Sequence, residues 1–238
     1  MAELNALIRE AGVPLGEEAA EKLNRYHEML LDWNTRMDLT SVPEADTAAR
    51  HFVDSLLPLG KPGLFPQNIR IIDVGTGAGF PGLALAIARP DLRVTLLEAQ
   101  GKRCQFLRAV VDEAEIENAW VIQDRAEILG RQEEHREQYD RAVARAVAPL
   151  NVLCEYLLPF VKIGGYALCW KGPAVQTEWE DGLFAAQALG GKLEESLEMP
   201  QDETCHLLVP IRKTEKTLPQ YPRKNGLPGK RPLKNGKK

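Results

Sequence analysis

A glycine-rich loop in the first third of the chain has the residue types and spacing that can bind a nucleotide-like cofactor. Gly75, Gly77 and Gly79 follow a short run rich in β-branched residues at 69–74 and precede the apolar helical pattern of residues 83–88. Such a run, bounded by glycines, predicts a buried parallel strand that turns into a helix. Because glycine lets the backbone approach a ligand closely, the loop amides and the helix start can receive an anionic group. We therefore expect a nucleotide-like cofactor at this loop.

Two cofactors fit the loop on spacing alone. Gly77, Gly79 and Gly82 satisfy the GxGxxG fingerprint of dinucleotide binding, and Glu98, 21 residues after Gly77, is placed to hold the ribose of NAD. Gly75 adds a glycine directly after the strand, which gives the GxGxG pattern typical of S-adenosylmethionine enzymes and favours a methyl donor. A turn that binds nothing is the third alternative, although three clustered glycines weaken a turn unless something needs the space.

The chain after the loop alternates between strand and helix patterns, which predicts a βαβ series and a parallel sheet. The strands are expected at residues 93–98, 119–123, 139–144 and 166–170, and the helices at residues 102–113, 150–160 and 175–189. Two final extended runs, at residues 192–197 and 206–211, are expected to form an antiparallel hairpin that closes the sheet edge. Seven strands with one antiparallel partner are typical of the α/β fold of class I S-adenosylmethionine-dependent methyltransferases, a Rossmann-like sheet, whereas a nicotinamide domain usually has six parallel strands.

The segment before the sheet carries helical patterns. Apolar residues recur at steps of three and four over residues 23–37, which predicts an amphipathic helix. A further helix is expected at residues 47–57, where His51 and Asp54 lie one turn apart and can form a polar cluster. The predicted organisation is an N-terminal helical cap at residues 1–60, a methyltransferase domain at residues 61–211 and a basic C-terminal arm at residues 212–238.

Polar residues directly after the strands are the candidate ligand-binding groups, because ligands of open parallel sheets lie beyond the carboxyl ends of the strands. Glu98 can accept hydrogen bonds from both ribose hydroxyls. Ala126 and Glu127 follow the third strand and can contact the adenine edge with backbone groups and a carboxylate. Arg145 follows the fourth strand and needs an anionic partner, such as a phosphate or carboxylate. Lys171, after the fifth strand, is a weaker candidate.

The net charge of −4 conceals a strong asymmetry. Residues 212–238 contain ten Lys or Arg and the single acid Glu215, a local charge of +9, so residues 1–211 carry −13. A basic tail rich in Pro and Gly predicts an arm that contacts a polyanion and becomes ordered on contact.

Membrane, secretory and metal-binding classes do not fit the sequence. No run approaches 18 apolar residues, and the first residues lack the basic-then-apolar pattern of a signal peptide, so we expect a cytoplasmic protein with no membrane contact. The four cysteines contain no Cys-x-x-Cys pair, which predicts reduced, mostly buried thiols and no metal site. They are Cys104, Cys154, Cys169 and Cys205.

The chain resembles, from end to end, the bacterial small-subunit ribosomal RNA methyltransferase family RsmG, also called GidB. The resemblance rests on an ordered set of motifs: Trp33-Asn34 through Leu39-Thr40, Arg50-His51-Phe52-Val53-Asp54-Ser55-Leu56, residues 73–82 of the glycine loop, Gly101-Lys102-Arg103, Arg145-Ala146, Lys171-Gly172 and Tyr221-Pro222-Arg223-Lys224. Relatives in that family often carry Asn in place of Asp38 and Asp in place of Glu98. This chain also has a charge-rich insertion between Glu127 and Tyr139, which is expected to lengthen a surface loop.

The resemblance implies methyl transfer from S-adenosylmethionine to nitrogen-7 of a guanine near the decoding centre, position 527 of 16S rRNA in the family. The partner is then 16S rRNA or the small ribosomal subunit. Cofactor contacts are expected at Gly75, Gly77, Phe80, Glu98, Ala126, Glu127 and Arg145. RNA contacts are expected at Lys102, Arg103, Arg125, Lys171, Arg223 and Lys224. No catalytic residue is expected, because guanine N7 has a lone pair and no proton to remove.

Overall fold

The N-terminal part of the computed structural model is helical. The structure describes residues 2–201 and 204–236. The first elements are α1 (Ala2–Glu10), α2 (Glu17–Asn34), α3 (Glu44–Thr47), a π-helical turn (Ala48–Val53), α4 (Asp54–Leu56) and a 3₁₀ turn (Leu57–Gly60). The helical stretch from α3 onwards is longer at both ends than the predicted helix at residues 47–57. It continues past Pro58 because proline is tolerated in a first helical turn, where its missing N–H is not needed.

α2 carries the predicted apolar face. Leu23, Tyr26 and Leu30 are buried and belong to the core on one side of the sheet. The Tyr26 ring stacks on Phe80, with 5.2 Å between ring centroids, and its hydroxyl donates a hydrogen bond of 2.5 Å to the carbonyl of Ala78. Through Tyr26, α2 therefore packs against the glycine loop and holds its backbone by a hydrogen bond.

The described residues form an eight-stranded sheet with helices on both faces. Its order is β3-β2-β1-β4-β5-β8-β6, with β7 paired to β8. The strands are β1 (Arg70–Val74), β2 (Arg93–Glu98), β3 (Ala119–Gln123), β4 (Tyr139–Arg145), β5 (Val161–Lys171), β6 (Gly191–Leu193), β7 (Leu197–Gln201) and β8 (Thr204–Lys213). The strands from β1 to β5 pair in parallel, so their carboxyl ends lie along one edge of the sheet.

Of the six helices that follow β1 in the described residues, four lie close to their predicted positions, and the two four-residue helices were not predicted. The six are α5 (Gly82–Ala88), α6 (Gly101–Glu113), α7 (Ala126–Leu129), α8 (Leu150–Leu157), α9 (Trp179–Ala188) and α10 (Leu227–Lys230), with a 3₁₀ turn at Pro173–Glu178. α5 and α6 pack with the N-terminal helices, and α8 and α9 cover the other face. β5 begins five residues before the predicted strand because Val161 pairs with Tyr139 of β4. Across residues 2–201 and 204–236, no helix has the length and hydropathy needed to cross a bilayer.

The predicted antiparallel hairpin at the sheet edge is confirmed, but its first strand is β7, and the run predicted at residues 192–197 contributes only to β6 and the start of β7. β8 lies inside the sheet, antiparallel to β5 on one side and to β6 and β7 on the other. Leu208, Val209 and Ile211 of β8 are fully buried, and such apolar side chains are stabilised in an interior strand covered on both faces. The edge is therefore formed by the short β6 and β7.

The basic segment after β8 is part of the folded body, which corrects the expectation of a separate arm. Arg136 donates hydrogen bonds to the carbonyls of Thr217 (2.7 Å) and Tyr221 (2.8 Å). The neighbouring Glu137 accepts the Thr217 N–H at 2.8 Å and pairs with the buried Lys213. The charged insertion before β4 thus holds the C-terminal segment and is not merely a lengthened surface loop. The segment orders here because its backbone polar groups find partners on the body.

Candidate active site

Three adjoining cavities lie at the edge where the parallel strands end. The β2 cavity, of about 380 Å³, is lined by Glu98 and Glu127. The loop cavity, of about 480 Å³, surrounds the glycine loop, and the β5 cavity, of about 310 Å³, is lined by Trp170 and Lys171. Ala146 lines all three and has a φ of 56°, a strained conformation for a residue other than glycine. Such strain is concentrated at functional sites.

The glycine loop is held open by backbone geometry. Gly75, Gly77 and Gly79 have φ values of 72°, 61° and 106°, which side chains rarely allow. The N–H of Gly75 donates to the carbonyl of Leu97 at 2.8 Å, so the loop is tied to the end of β2. A Cβ on Gly75 would lie 3.0 Å from Cγ2 of Val147. A side chain at this position would therefore fill the space between the loop and the residues after β4.

Glu98, which is predicted to contact the ribose, also accepts hydrogen bonds from the protein backbone. Its side chain accepts the N–H of Gly77 at 3.0 Å and the N–H of Gln100 at 2.8 Å, and the residue is only 5% exposed. An ionised carboxylate has about four lone-pair sites, so further donors from a ligand can be accommodated in the β2 cavity. Glu98 therefore connects the glycine loop to the wall of that cavity.

Asp73 is a buried acid that the sequence pattern did not single out. One carboxylate oxygen accepts hydrogen bonds of 2.7 Å from Thr76 Oγ1 and from the Gly82 N–H. The other, Oδ1, has no partner within the part of the chain that the structure describes. Burial raises the pKa of Asp73 to about 6, against the opposing effect of these hydrogen bonds. A bound cation or donor beside the loop would satisfy the free oxygen. The signals for Asp73 in the sequence were its position near the end of β1 and its place in the motif at residues 73–82.

The anionic partner expected for Arg145 is supplied by the protein itself. Arg145 Nη1 lies 2.7 Å from Asp54 Oδ2, and the side chains are 13% and 2% exposed. The other oxygen of Asp54 lies 2.6 Å from His206 Nδ1. Burial opposes ionisation of Asp54, but the hydrogen bonds from His206 and Arg145 outweigh it and lower its pKa. The same contact with Asp54 raises the pKa of His206. No sequence pattern predicted His206 as a site residue, because only the pairing of β8 within the sheet brings it here.

His51 is held as a neutral ring. Arg145 Nη2 lies 3.0 Å from His51 Nδ1, which must therefore accept, and Nε2 then donates to Thr40 Oγ1 at 2.6 Å. Burial and the neighbouring Arg145 lower the pKa of His51 to about 3. The ring stacks on Phe80 with centroids 4.7 Å apart. The predicted polar cluster of His51 and Asp54 is confirmed, with Arg145 as the residue that joins them.

The predicted adenine contacts lie together in the β2 cavity. Ala126 and Glu127 begin α7 and line the cavity with Glu98. Glu127 Oε1 also accepts the N–H of Gly226, at 2.7 Å, so it touches the C-terminal segment. Arg103 lines both the β2 cavity and the loop cavity, and its buried Nε has no partner among the described residues.

Two comparisons with known proteins bear on the family. The model of the GidB family, described as rRNA small subunit methyltransferase G, matches residues 19–207. The chain belongs to this family. It is 44% identical to the ribosomal RNA small subunit methyltransferase G of Alkaliphilus metalliredigens, over 95% of each chain. It is 42% identical to that of Alkaliphilus oremlandii, over 98% of this chain and 100% of the relative.

Solved structures confirm the predicted class I methyltransferase fold of this GidB member. Aeropyrum pernix fibrillarin with natively bound S-adenosyl-L-methionine has a TM-score of 0.53 at 16% identity, covering 66% of this chain and 72% of that one. A mutant 16S rRNA (adenine(1408)-N(1))-methyltransferase from Catenulisporales acidiphilia has a TM-score of 0.52 at 17% identity, covering 63% and 87%. Membership of a methyltransferase family also decides the choice of cofactor against the nicotinamide alternative.

The predicted RNA-contacting residues of this GidB chain divide into two groups. Lys102, Arg125 and Lys224 are exposed on the rim of the cleft or on the C-terminal segment. Lys171 pairs with Glu178 at 2.7 Å and is 13% exposed. Arg223 makes a bidentate ion pair with Glu155 and is 21% exposed. Lys171 and Arg223 thus already have carboxylate partners inside the protein, and the RNA contacts stay predictions.

The three cysteines whose side chains the structure describes line none of the three cavities. Cys104, Cys154 and Cys169 are buried free thiols, as predicted, and burial raises the pKa of each. The side chain of Cys205 lies outside the described residues. Within the described ranges, His, Cys, Asp and Glu form no group with the arrangement of a metal site.

Proposed function

We propose that this protein transfers a methyl group from S-adenosylmethionine to nitrogen-7 of a guanine in the small-subunit rRNA, position 527 of 16S rRNA. GidB family membership across most of the chain is the observation that carries the proposal. The cleft supports it, because three connected cavities at the strand ends can hold a donor and an acceptor side by side. The cytoplasm, where ribosomal subunits are made, is the expected place of action.

The residues present fit S-adenosylmethionine on two observations. The space opposite Gly75, which a Cβ would fill, lets a ligand approach the loop backbone. Glu98, which lines the β2 cavity, keeps carboxylate lone pairs beyond those used by its two backbone donors. When bound, the cofactor supplies an electrophilic methyl group on a positively charged sulfur. Glu98 would hold the ribose, Ala126 and Glu127 the adenine, and Gly75, Gly77 and Phe80 the methionine end.

The chain's own residues position the reactants and move no proton. Guanine N7 has an in-plane lone pair and no hydrogen, so no general base is required. His51 is neutral and donates its only ring hydrogen to Thr40. Alignment of the reactants can lower the activation free energy by about 7–11 kcal/mol. In the proposed mechanism this alignment is the main contribution of the site. Arg145, held by Asp54, lines both the loop cavity and the β5 cavity, so it would lie beside the point where the donor methyl group meets the acceptor.

The β5 cavity is the proposed acceptor side. It is lined by the exposed Arg50, by Arg145 and Lys171, whose charges are paired with Asp54 and Glu178, and by His206, with Trp170 as an apolar wall. An unpaired nucleotide needs such a combination, because its phosphate is anionic and its base has an apolar face. The exposed lysines of the C-terminal segment would extend this surface along the RNA. We infer a working division into a cap (residues 1–60), a methyltransferase domain (residues 61–211) and a basic segment (residues 212–238).

Labelled methyl transfer tests the proposal directly. Purified protein is incubated with tritiated S-adenosylmethionine and with either naked 16S rRNA or small subunits from a strain that lacks this modification. Label at N7 of one guanine, abolished in Gly75→Arg, is the expected result. Label at another base, or no label despite tight RNA binding, would overturn the proposal in favour of a different acceptor or a non-catalytic RNA-binding protein. Free guanosine is the negative control, because it lacks the surrounding RNA that provides binding energy.

A further inference from the structure

The C-terminal segment from Tyr221 to Lys230, here called the strap, contacts residues that line the β2 cavity without lining it itself. The Gly226 N–H donates to Glu127 Oε1 at 2.7 Å, and Glu127 is a cavity residue. A Cβ on Gly229 would lie 3.7 Å from Oη of Tyr156, which lines the same cavity. Two residues of the cavity wall therefore have the strap behind them.

An ion pair outside the cavity locks the strap to α8. Glu155 is fully buried, and its carboxylate accepts the backbone N–H of Arg223 at 2.7 Å. The Arg223 guanidinium adds bonds to both carboxylate oxygens, at 2.9 Å from Nε to Oε1 and 2.6 Å from Nη2 to Oε2. Pro222, which directly precedes Arg223, is also buried. A carboxylate is removed from water only when it gains such partners, so this pair fixes where the strap lies.

The bond from Gly226 fixes the orientation of the Glu127 carboxylate. With Oε1 held by the strap, the second oxygen is left for the cavity that Glu127 lines. Glu155 and Tyr156 are adjacent on α8, so the residue that anchors the strap is directly linked to the cavity wall. Displacement of the strap would release Glu127 and Tyr156 at once.

We propose that Arg223 and Glu155 are positioning residues for cofactor binding, acting through the strap on Glu127 and Tyr156. This deepens the proposed function and rests on it, since the cofactor concerned is S-adenosylmethionine. Linkage makes the effect reciprocal: if the strap strengthens cofactor binding, the cofactor must stabilise the strap by the same factor. Lys224 and Lys230 are exposed on the strap and provide trypsin sites that report its release.

Calorimetry and limited proteolysis together test the inference on the full chain. Arg223→Ala is expected to weaken S-adenosylmethionine binding by about 5- to 20-fold, and Arg223→Lys to recover part of it. Glu155→Gln keeps the shape of the buried side chain and serves where Arg223→Ala does not fold. In the wild-type protein, saturating S-adenosylmethionine is expected to slow trypsin cleavage after Lys224 and Lys230 by a comparable factor. The KM for RNA is expected to change less than the Kd for the cofactor.

A matched control separates this role from general stability. Arg89 and Asp91 form another bidentate ion pair, at 2.6 and 2.7 Å. This pair lies just before β2, at the amino end of that strand and away from the cavities. Arg89→Ala is expected to leave cofactor affinity unchanged. The inference would be overturned if wild type and Arg223→Ala bound the cofactor equally tightly. It would also be overturned if the cofactor left the rate of trypsin cleavage in the strap unchanged. Either result would leave the proposed function intact. Absence of cofactor binding to the wild-type protein would instead overturn the proposed function.

Discussion

Removal of the charge at Asp54 should lower the free energy of unfolding, because the mostly buried Arg145 loses its carboxylate partner. In Asp54→Asn, one oxygen becomes an NH₂ group, while the two facing atoms, Arg145 Nη1 at 2.7 Å and His206 Nδ1 at 2.6 Å, act as donors towards it. An amide NH₂ that faces Arg145 brings two donors together, and one that faces His206 does so while the ring is protonated. Breaking a buried ion pair costs about 3–5 kcal/mol, because the remaining charge is left buried. Since Arg145 keeps 13% exposure and its bonds to backbone carbonyls, we expect a loss of about 3 kcal/mol.

The loss should depend on pH with a defined sign. The pKa of Asp54 is lowered in the folded state, so its contribution is present above the unfolded value of about 4 and disappears as pH falls through the folded value. The pKa of His206 is raised, so its contribution is full below about 6.5 and disappears as pH rises through the folded value. The difference between wild type and Asp54→Asn should therefore be largest from about pH 4 to about pH 6.5 and narrow above that range.

Urea unfolding measured across that pH range checks the prediction. With an m-value of about 3 kcal/mol per molar, the midpoint should shift by about 1 M. The control is Asp91→Asn, which breaks the more exposed pair with Arg89, where at most about 1 kcal/mol is expected. A loss at position 54 no larger than in the control, or a difference that is flat across pH, would refute the account of Arg145 as a residue held by buried charge.

Three further outcomes follow from single residues. Gly75→Ala places a Cβ 3.0 Å from Val147 at a φ of 72°, so calorimetry should show cofactor affinity reduced at least about tenfold. Exchange of Lys224 and Lys230 for Gln should reduce the salt slope of RNA binding by about 0.7 per lost phosphate contact, with an unchanged melting temperature; an unchanged slope would remove the strap from the RNA surface. Burial lowers the pKa of Lys213 to about 8. Since the unfolded chain binds this proton more tightly, stability attributable to Lys213 should rise from about pH 8 to about pH 10, and Lys213→Met should lack that rise in urea titrations.

The sequence was sufficient for the parts of the site that one local segment determines. The glycine loop is followed at once by its helix, so spacing alone located it and predicted a cofactor there. Glu98, at the end of β2, and Ala126 and Glu127, shortly after β3, were predicted as site residues because parallel strands end at a common edge, and they line one cavity. The family resemblance, which the family model confirms, then supplied the choice between two cofactors that spacing had left open.

Tertiary structure alone decided how those groups are held and which are available. Arg145 was expected to await an external anion, yet the fold brings Asp54 and His206 to it from 91 and 61 positions away in sequence. Arg223 was expected to lie on a free basic tail, whereas the fold pairs it with the buried Glu155 of α8. Local sequence patterns encode backbone conformation and burial, because these depend on near neighbours. The pairing of a charge depends on which distant side chain the fold places within about 3 Å of it, and only the assembled sheet determines that.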